Sequence, residues 1–246
     1  VSLIARQVWQ DPAKPVTGPI AYQPSIERIV LHYPGADWSD MDFDNDGDVD
    51  PADTVTILRQ MQASYLSSRG YSLGYNFAVD TLGSEYEVRG LAIRNAANRE
   101  VNNTTVSVLA IVDAEAPAAL AQRCAIQRSV RRIRVRLGKH LTIVGHRDVG
   151  ATACPGGGLY AQMQSGAFEP VTSWPFLRSG MRSSEVAYAR EILRTSGAIK
   201  GNPSDVYDPA MAKAVSDLKK FLGYKVTSGT LVGPRFWKFL DALAVS

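Results

Sequence analysis

The sequence predicts an α/β domain, a central mixed β-sheet flanked by helices, followed by a small all-α domain of three helices. Short apolar runs closed by turn residues, such as RIVLHYPG and LTIVG, read as buried strands. Longer stretches with apolar residues at helical spacing lie between them, and strands alternating with helices build an α/β core. Beyond a linker rich in Pro, Gly and Ser, only helical patterns remain.

The elements follow in order. Residues 25–33 form a strand in which Ile29, Val30 and Leu31 are the buried run, and Pro34 and Gly35 end it just after His32. A helix is expected over about residues 54–68, with Val55, Leu58, Met61 and Leu66 on one face. Residues 75–79 and 105–112 are further strands, the latter apolar enough to lie centrally. A helix runs from Pro117 to a stop near Gly138, and the strand at 141–145 delivers His146 at its end. The linker at 166–180 places a boundary near residue 175, giving domains of 1–175 and 176–246. The second domain shows three helical patterns: Val186, Ala189 and Leu193; Met211, Val215, Leu218 and Leu222; then Phe236, Phe239, Leu240 and Leu243. Pro234 suits the first turn of the last helix.

Composition narrows the function classes. Of 246 residues, 45% are hydrophobic and 21% charged, as in soluble globular proteins, and no apolar run has the length of a membrane span. The opening VSLIARQVWQDPAKP lacks the regions of a secretory signal. Two cysteines exclude a dense disulfide framework, leaving a Cys124–Cys154 bridge as the plain alternative use for them. The net charge of +3 hides a C-terminal segment, 178–246, that carries +5 and suits a polyanionic partner. No aromatic and basic stripe points to nucleic acid.

Three residues carry the chemistry. His32 and His146 stand just after strands, and Cys154 lies eight residues past His146 on a Gly-rich loop. Two imidazoles and a thiolate make three zinc ligands and leave one tetrahedral position open, the pattern of a catalytic site. Spacing alone also admits core histidines, or Cys154 as a nucleophile paired with a histidine. His140 reads as a surface residue.

The segments LHYPG, GYNFAVD, YEVRG and VGHRDVGATACPG resemble, in order and spacing, the type 2 zinc-dependent N-acetylmuramoyl-L-alanine amidases. That family includes bacteriophage endolysins and the peptidoglycan recognition proteins, and the resemblance covers roughly residues 26–160. It implies that His32, His146 and Cys154 ligate zinc and that the Tyr75 phenol donates to a developing oxyanion. Thr152 falls where relatives carry Lys or Thr that assists the same charge, and a loop-stabilising hydroxyl is its alternative role. The strand TVSVLAIVD has no Glu, as in the Tyr-using branch, and Asn98 stands where relatives often carry a substrate-facing His. The implied reaction is hydrolysis of the amide between N-acetylmuramic acid and L-alanine. The rival is a protein that recognises peptidoglycan without cutting it, but the cysteine lost in such relatives is present as Cys154. The C-terminal segment resembles a three-helix peptidoglycan-binding domain, in which Tyr207 and Trp237 either stack on sugar or fill the core. The expected partner is bacterial peptidoglycan, with no nucleic acid and no membrane insertion, for a monomer. It would act at the wall, either as a phage endolysin held in the host cytoplasm until release or as a secreted protein whose signal is removed.

A second metal loop is expected. Asp42, Asp44, Asp46, Asp48, Asp50 and Asp53, with Gly47 between, fit the spacing D-x-[DN]-x-[DN]-G-x5-E, ending in Asp instead of Glu. Structural calcium there would relieve the mutual repulsion of seven carboxylates between Asp40 and Asp53. A solvated acidic loop is the alternative, and a calcium-regulated adaptor the weakest of the functional readings.

Overall fold

The structure, a computed structural model, describes residues 3–35, 42, 50–112, 115–171, 174–225 and 230–245. The described elements are α1 (Arg6–Trp9), β1 (Arg28–His32), α2 (Pro51–Arg69), β2 (Phe77–Val79), β3 (Glu85–Glu87) and β4 (Thr105–Ala110). There follow α3 (Leu120–Leu137), β5 (Thr142–Gly145), α4 (Gly157–Gln164), α5 (Ser184–Thr195), α6 (Pro209–Phe221) and α7 (Pro234–Val245). They divide between two compact units, 3–169 and one running from 170 onward.

The first unit is a five-stranded mixed sheet in the order β3-β2-β4-β1-β5. Strands β2, β4, β1 and β5 are parallel neighbours, and β3 pairs antiparallel with β2. Alternation along the strands feeds two cores. Ile29, Leu31, Val106 and Val108 meet Ala125, Ile126, Val130 and Ile133 of α3. On the opposite face Leu109, Ile111 and Tyr86 meet Ile57, Leu58 and Met61 of α2, with Trp9 and Val16 closing the layer. Apolar faces on both sides of the sheet thus leave only strand ends free for chemistry.

Helix α2 starts earlier than the apolar period suggests. Asp50 caps it by accepting from the backbone N–H of Ala52 and Asp53, while the Asp53 carboxylate accepts from the N–H of Asp50 at 2.8 Å. This reciprocal box, with Pro51 at the first helical position, fixes the start of the helix. Of the acidic loop, Asp44, Asp46 and Asp48 lie outside the described residues. Helix α3 ends at Gly138, whose φ of 66° provides the left-handed cap that any other residue would adopt only under strain. Neither cysteine is in a disulfide, so the Cys124–Cys154 bridge is not formed.

Strand β3 and helix α4 carry no clear sequence signal. β3 reads EYE, and its Glu85 is buried because Arg128 Nε donates to it at 2.8 Å, Ser129 Oγ at 2.7 Å, and Arg132 Nη1 closes the cluster. α4 begins inside the run PGGG, where the N–H of Gly157 is satisfied by the Glu115 carboxylate at 2.9 Å.

In the second unit α5, α6 and α7 enclose a core that includes Tyr188, Ile192, Tyr207, Met211, Phe236, Trp237 and Leu240. Trp174 packs its ring 5.1 Å from that of Trp237, and Leu177 pairs with Val232, which draws the linker into this unit from Pro170 rather than from near 175. Tyr207 and Trp237 are fully buried; Trp237 Nε1 donates to the Pro175 carbonyl at 2.7 Å. Both fill the core and offer no face to a sugar. No helix of the described residues is long and apolar enough to cross a membrane.

Candidate metal centre

Parallel register brings the first two candidate ligands together. Leu31 of β1 pairs with Gly145 of β5, so the next residues, His32 and His146, leave the sheet side by side. Their ring centroids are 4.5 Å apart. His32 ends β1 and is buried; His146 opens a single 3-10 turn, His146–Asp148, and is half-buried.

The HRD segment explains how Cys154 returns to this point. Asp148 Oδ2 accepts from the N–H of Gly145 at 2.7 Å, tightening the turn, and its Oδ1 accepts from the Tyr160 hydroxyl at 2.8 Å. The N–H of Arg147 donates to the Cys154 carbonyl at 2.8 Å, its guanidinium reaches the Ala153 carbonyl, and its Cζ lies 4.5 Å from the Tyr160 ring centroid. Arg147 and Asp148 therefore hold the two ends of the loop, a role that proximity to a ligand hints at but spacing cannot assign. Thr152 is exposed, and its Oγ1 accepts from the N–H of Cys154 at 3.2 Å, so its hydroxyl supports the loop. His140 is exposed and, among the described residues, does not join this cluster.

Ligand atoms of His32, His146 and Cys154 all lie within 4.8 Å of one another. Three ligands around one tetrahedral zinc stand roughly 3.5 Å apart, given bonds of about 2.0–2.3 Å. The separation of 3.6 Å between Cys154 Sγ and His32 Nδ1 matches that spacing. Burial, then the neighbouring His146, lowers the His32 pKa to about 3, and burial lowers that of His146, so both imidazoles are neutral, as a metal requires. Burial pushes the Cys154 thiol up to about 11. A cysteine nucleophile needs the opposite shift, whereas a cation placed among these atoms would supply the charge that a thiolate needs. The donor set fits zinc.

Tyr75 stands just before β2, buried, with its ring 5.1 Å from that of His32 in an edge-on arrangement. Its hydroxyl accepts from that of Tyr65 on α2 at 3.4 Å. Burial raises its pKa well above the usual value for a phenol, so it remains a proton donor. A cavity of about 680 Å³ opens beside His146 and is lined by Arg69, Tyr71, Arg89, Arg94 and Arg99. Arg89 is buried there with its guanidinium on the carbonyls of Ser72, Leu73 and Arg94. A second hollow of about 410 Å³ includes Tyr65, Arg69 and Tyr75. Nothing in the sequence marks these arginines, because they come from the end of α2 and from scattered positions in the connection between β3 and β4. Asn98 does not face the cleft: it is buried, with its amide on Thr105 and Ser107 of β4.

No family model matches the chain. It is 31% identical over 111 residues to a peptidoglycan-recognition protein of Drosophila melanogaster, covering 43% of this chain and 60% of that protein. It is 32% identical over 114 residues to an N-acetylmuramoyl-L-alanine amidase of Sus scrofa, covering 44% of this chain and 19% of that protein. Among solved structures, wild-type Drosophila PGRP-LB superposes with a TM-score of 0.58 at 21% identity, over 70% of this chain and 98% of that one. The ectodomain complex of PGRP-LCa and PGRP-LCx with tracheal cytotoxin gives 0.57 at 21%, over 67% of this chain and 95% of that one. In sequence the chain is similar to peptidoglycan-recognition proteins and to an N-acetylmuramoyl-L-alanine amidase, and its first unit shares the fold of the peptidoglycan-recognition proteins.

Proposed function

We propose that this chain is a zinc-dependent amidase that cuts between N-acetylmuramic acid and the L-alanine of the stem peptide. The observation that carries the reading is the grouping of His32, His146 and Cys154 at the end of the sheet, with the Tyr75 ring against His32. Zinc held there supplies Lewis-acid polarisation of a carbonyl and a water of lowered pKa. The rest is done by the chain. Tyr75, held protonated by burial, donates to the oxygen of the scissile carbonyl as charge develops on it. Arg69, Arg94 and Arg99 line a cleft suited to the carboxylates of a stem peptide, and the buried Arg89 stiffens its wall. Arg147 and Asp148 keep Cys154 in place. Thr152, fixed on the N–H of Cys154, is a weaker second donor.

Tracheal cytotoxin and a glycosamyl muramyl pentapeptide, each held in complex by a related solved structure, are peptidoglycan fragments of the kind this cleft would take. In this reading the unit from residue 170 onward anchors the enzyme on the anionic wall through its +5 charge over 178–246 and the exposed Phe221. Asp42–Asp53 binding of structural calcium rests on the spacing of the carboxylates alone; a calcium-dependent rise in melting temperature supports it, and no shift removes it. Action at the bacterial wall, as an endolysin or as a secreted enzyme, follows from the substrate.

The test is clearance of purified insoluble peptidoglycan by the wild-type chain and by Cys154→Ser, with and without phenanthroline. The reading expects clearance by the wild type alone, abolished by the chelator and restored by zinc. Binding of the wild type to the wall without clearance would instead make it a recognition protein.

A further inference from the structure

Two buried polar atoms, Nε2 of His32 and Oδ1 of Asn98, stand out behind the metal centre. The Val101 carbonyl can only accept, so the Thr105 hydroxyl, 2.8 Å away, commits its single proton there. Thr105 Oγ1 must then accept from the amides beside it, Nδ2 of Asn98 at 2.9 Å and Nδ2 of Asn95 at 3.2 Å. Asn95 is itself fixed by donating to the carbonyls of Asn102 and Thr105, so its Oδ1 is presented to Nδ2 of Asn98 at 3.3 Å. Ser107 Oγ lies 2.8 Å from the same Nδ2. These partners set the orientation of the Asn98 amide: NH2 toward β4, Oδ1 away from it. That Oδ1 is buried and, among the described residues, meets no partner at full hydrogen-bond geometry, and the same holds for Nε2 of His32.

The sheet puts these two atoms on one side. Val30 pairs with Ser107 and His32 with Leu109, so His32 and Ser107 share the face that α2 covers. The Asn98 side chain lies within hydrogen-bonding reach of the His32 ring. On the other side of the ring, Nδ1 faces Cys154 Sγ at 3.6 Å.

We propose that Asn98 is a positioning residue for the metal centre: its Oδ1 accepts the Nε2 proton of His32 and so holds Nδ1 bare toward Cys154. This rests on the reading of His32, His146 and Cys154 as zinc ligands. Metal-ligating histidines commonly need such an outer partner, and its loss costs about 10–100-fold in metal affinity. A neutral amide does the work here without adding charge to a buried site.

The test compares wild type, N98D (acceptor kept) and N98L (shape kept, acceptor lost). Zinc affinity is read by competition with a chromophoric chelator. The His32 tautomer is read from long-range 15N–1H correlations of the zinc-free protein, and folding from its thermal melt. N98D should bind zinc within about threefold of wild type, and N98L about 10–100-fold more weakly. The wild-type ring should carry its proton on Nε2, and the N98L ring should be a mixture. Unchanged zinc affinity and tautomer in N98L, with only a lower melting temperature, would overturn the proposal as merely structural. If N98L does not fold, a wild-type His32 protonated on Nδ1 would overturn it alone. Zinc bound tightly by a chain that cuts no peptidoglycan would end the amidase reading and leave this one standing.

Discussion

Removing one oxygen, in Tyr75→Phe, separates the chemistry from the fold. The Tyr75 hydroxyl is buried, and its contact with the Tyr65 hydroxyl, at 3.4 Å, is long for a hydrogen bond between hydroxyls. Its loss should therefore cost under about 1 kcal/mol of stability. The ring, which packs edge-on to His32, stays in place, so zinc affinity should not change. The effect on rate is of another size. A donor aimed at a developing oxyanion is worth about 10²–10³ in kcat, or about 2.7–4 kcal/mol. The assay is steady-state cleavage of a soluble disaccharide-peptide fragment, with zinc content and melting temperature measured on the same preparation. The reasoning expects kcat to fall by that factor with KM little changed. A kcat within about threefold of wild type would refute the role of Tyr75, and loss of zinc would show that the hydroxyl was holding the site together.

Three further outcomes follow from the packing and charges. Replacing Glu85 by Leu leaves Arg128, whose side chain is fully buried, without its carboxylate, and should cost about 3–5 kcal/mol in urea unfolding; a loss below about 1 kcal/mol would contradict the buried cluster. Gly74→Ala would set a Cβ 3.0 Å from the backbone carbon of Ala96, pushing the chain just before Tyr75; about 1–3 kcal/mol of stability and a large part of the activity should be lost, and unchanged kcat would argue against a rigid seat for Tyr75. In the metal-free protein, burial holds the folded-state pKa of His32 near 3, below its unfolded value of about 6.5. The fold then binds fewer protons than the unfolded chain in acid. Stability should be complete above about pH 6.5 and fall by about 1.4 kcal/mol per pH unit for this group as pH drops toward 3. Denaturant midpoints at pH 7.5, 6 and 5 check this, and a flat profile would contradict it.

What the sequence made legible is what local pattern controls. β1, β4 and β5 are short apolar runs, and a strand that ends in a ligand places that ligand at the end of the sheet. α3 was marked by Pro117 and Gly138, although it begins at Leu120, because the backbone is still extended at Ala119. What stayed hidden depends on partners distant in sequence. β3 was obscured because its buried Glu85 is neutralised by arginines more than forty residues on. The arginine-lined cleft draws on Arg69 at the end of α2 and on Arg89, Arg94 and Arg99 in the connection between β3 and β4, and no local period links them. Asn98 reads as a substrate-facing position by alignment with relatives, yet its small amide is drawn inward by the hydroxyls of β4. Trp237 and Tyr207 were equally compatible with sugar and core until the enclosing helices placed them inside.

Mass spectrometry of the fragments released from purified peptidoglycan tests the central claim most directly. An amidase frees stem peptides that begin at L-alanine and leaves glycan strands whose muramic acid carries a free lactyl carboxylate. Those products, lost with phenanthroline and regained with zinc, are what the site of His32, His146 and Cys154 predicts. Wall that retains the protein while releasing no peptide, or peptides cut at any other bond, would contradict it.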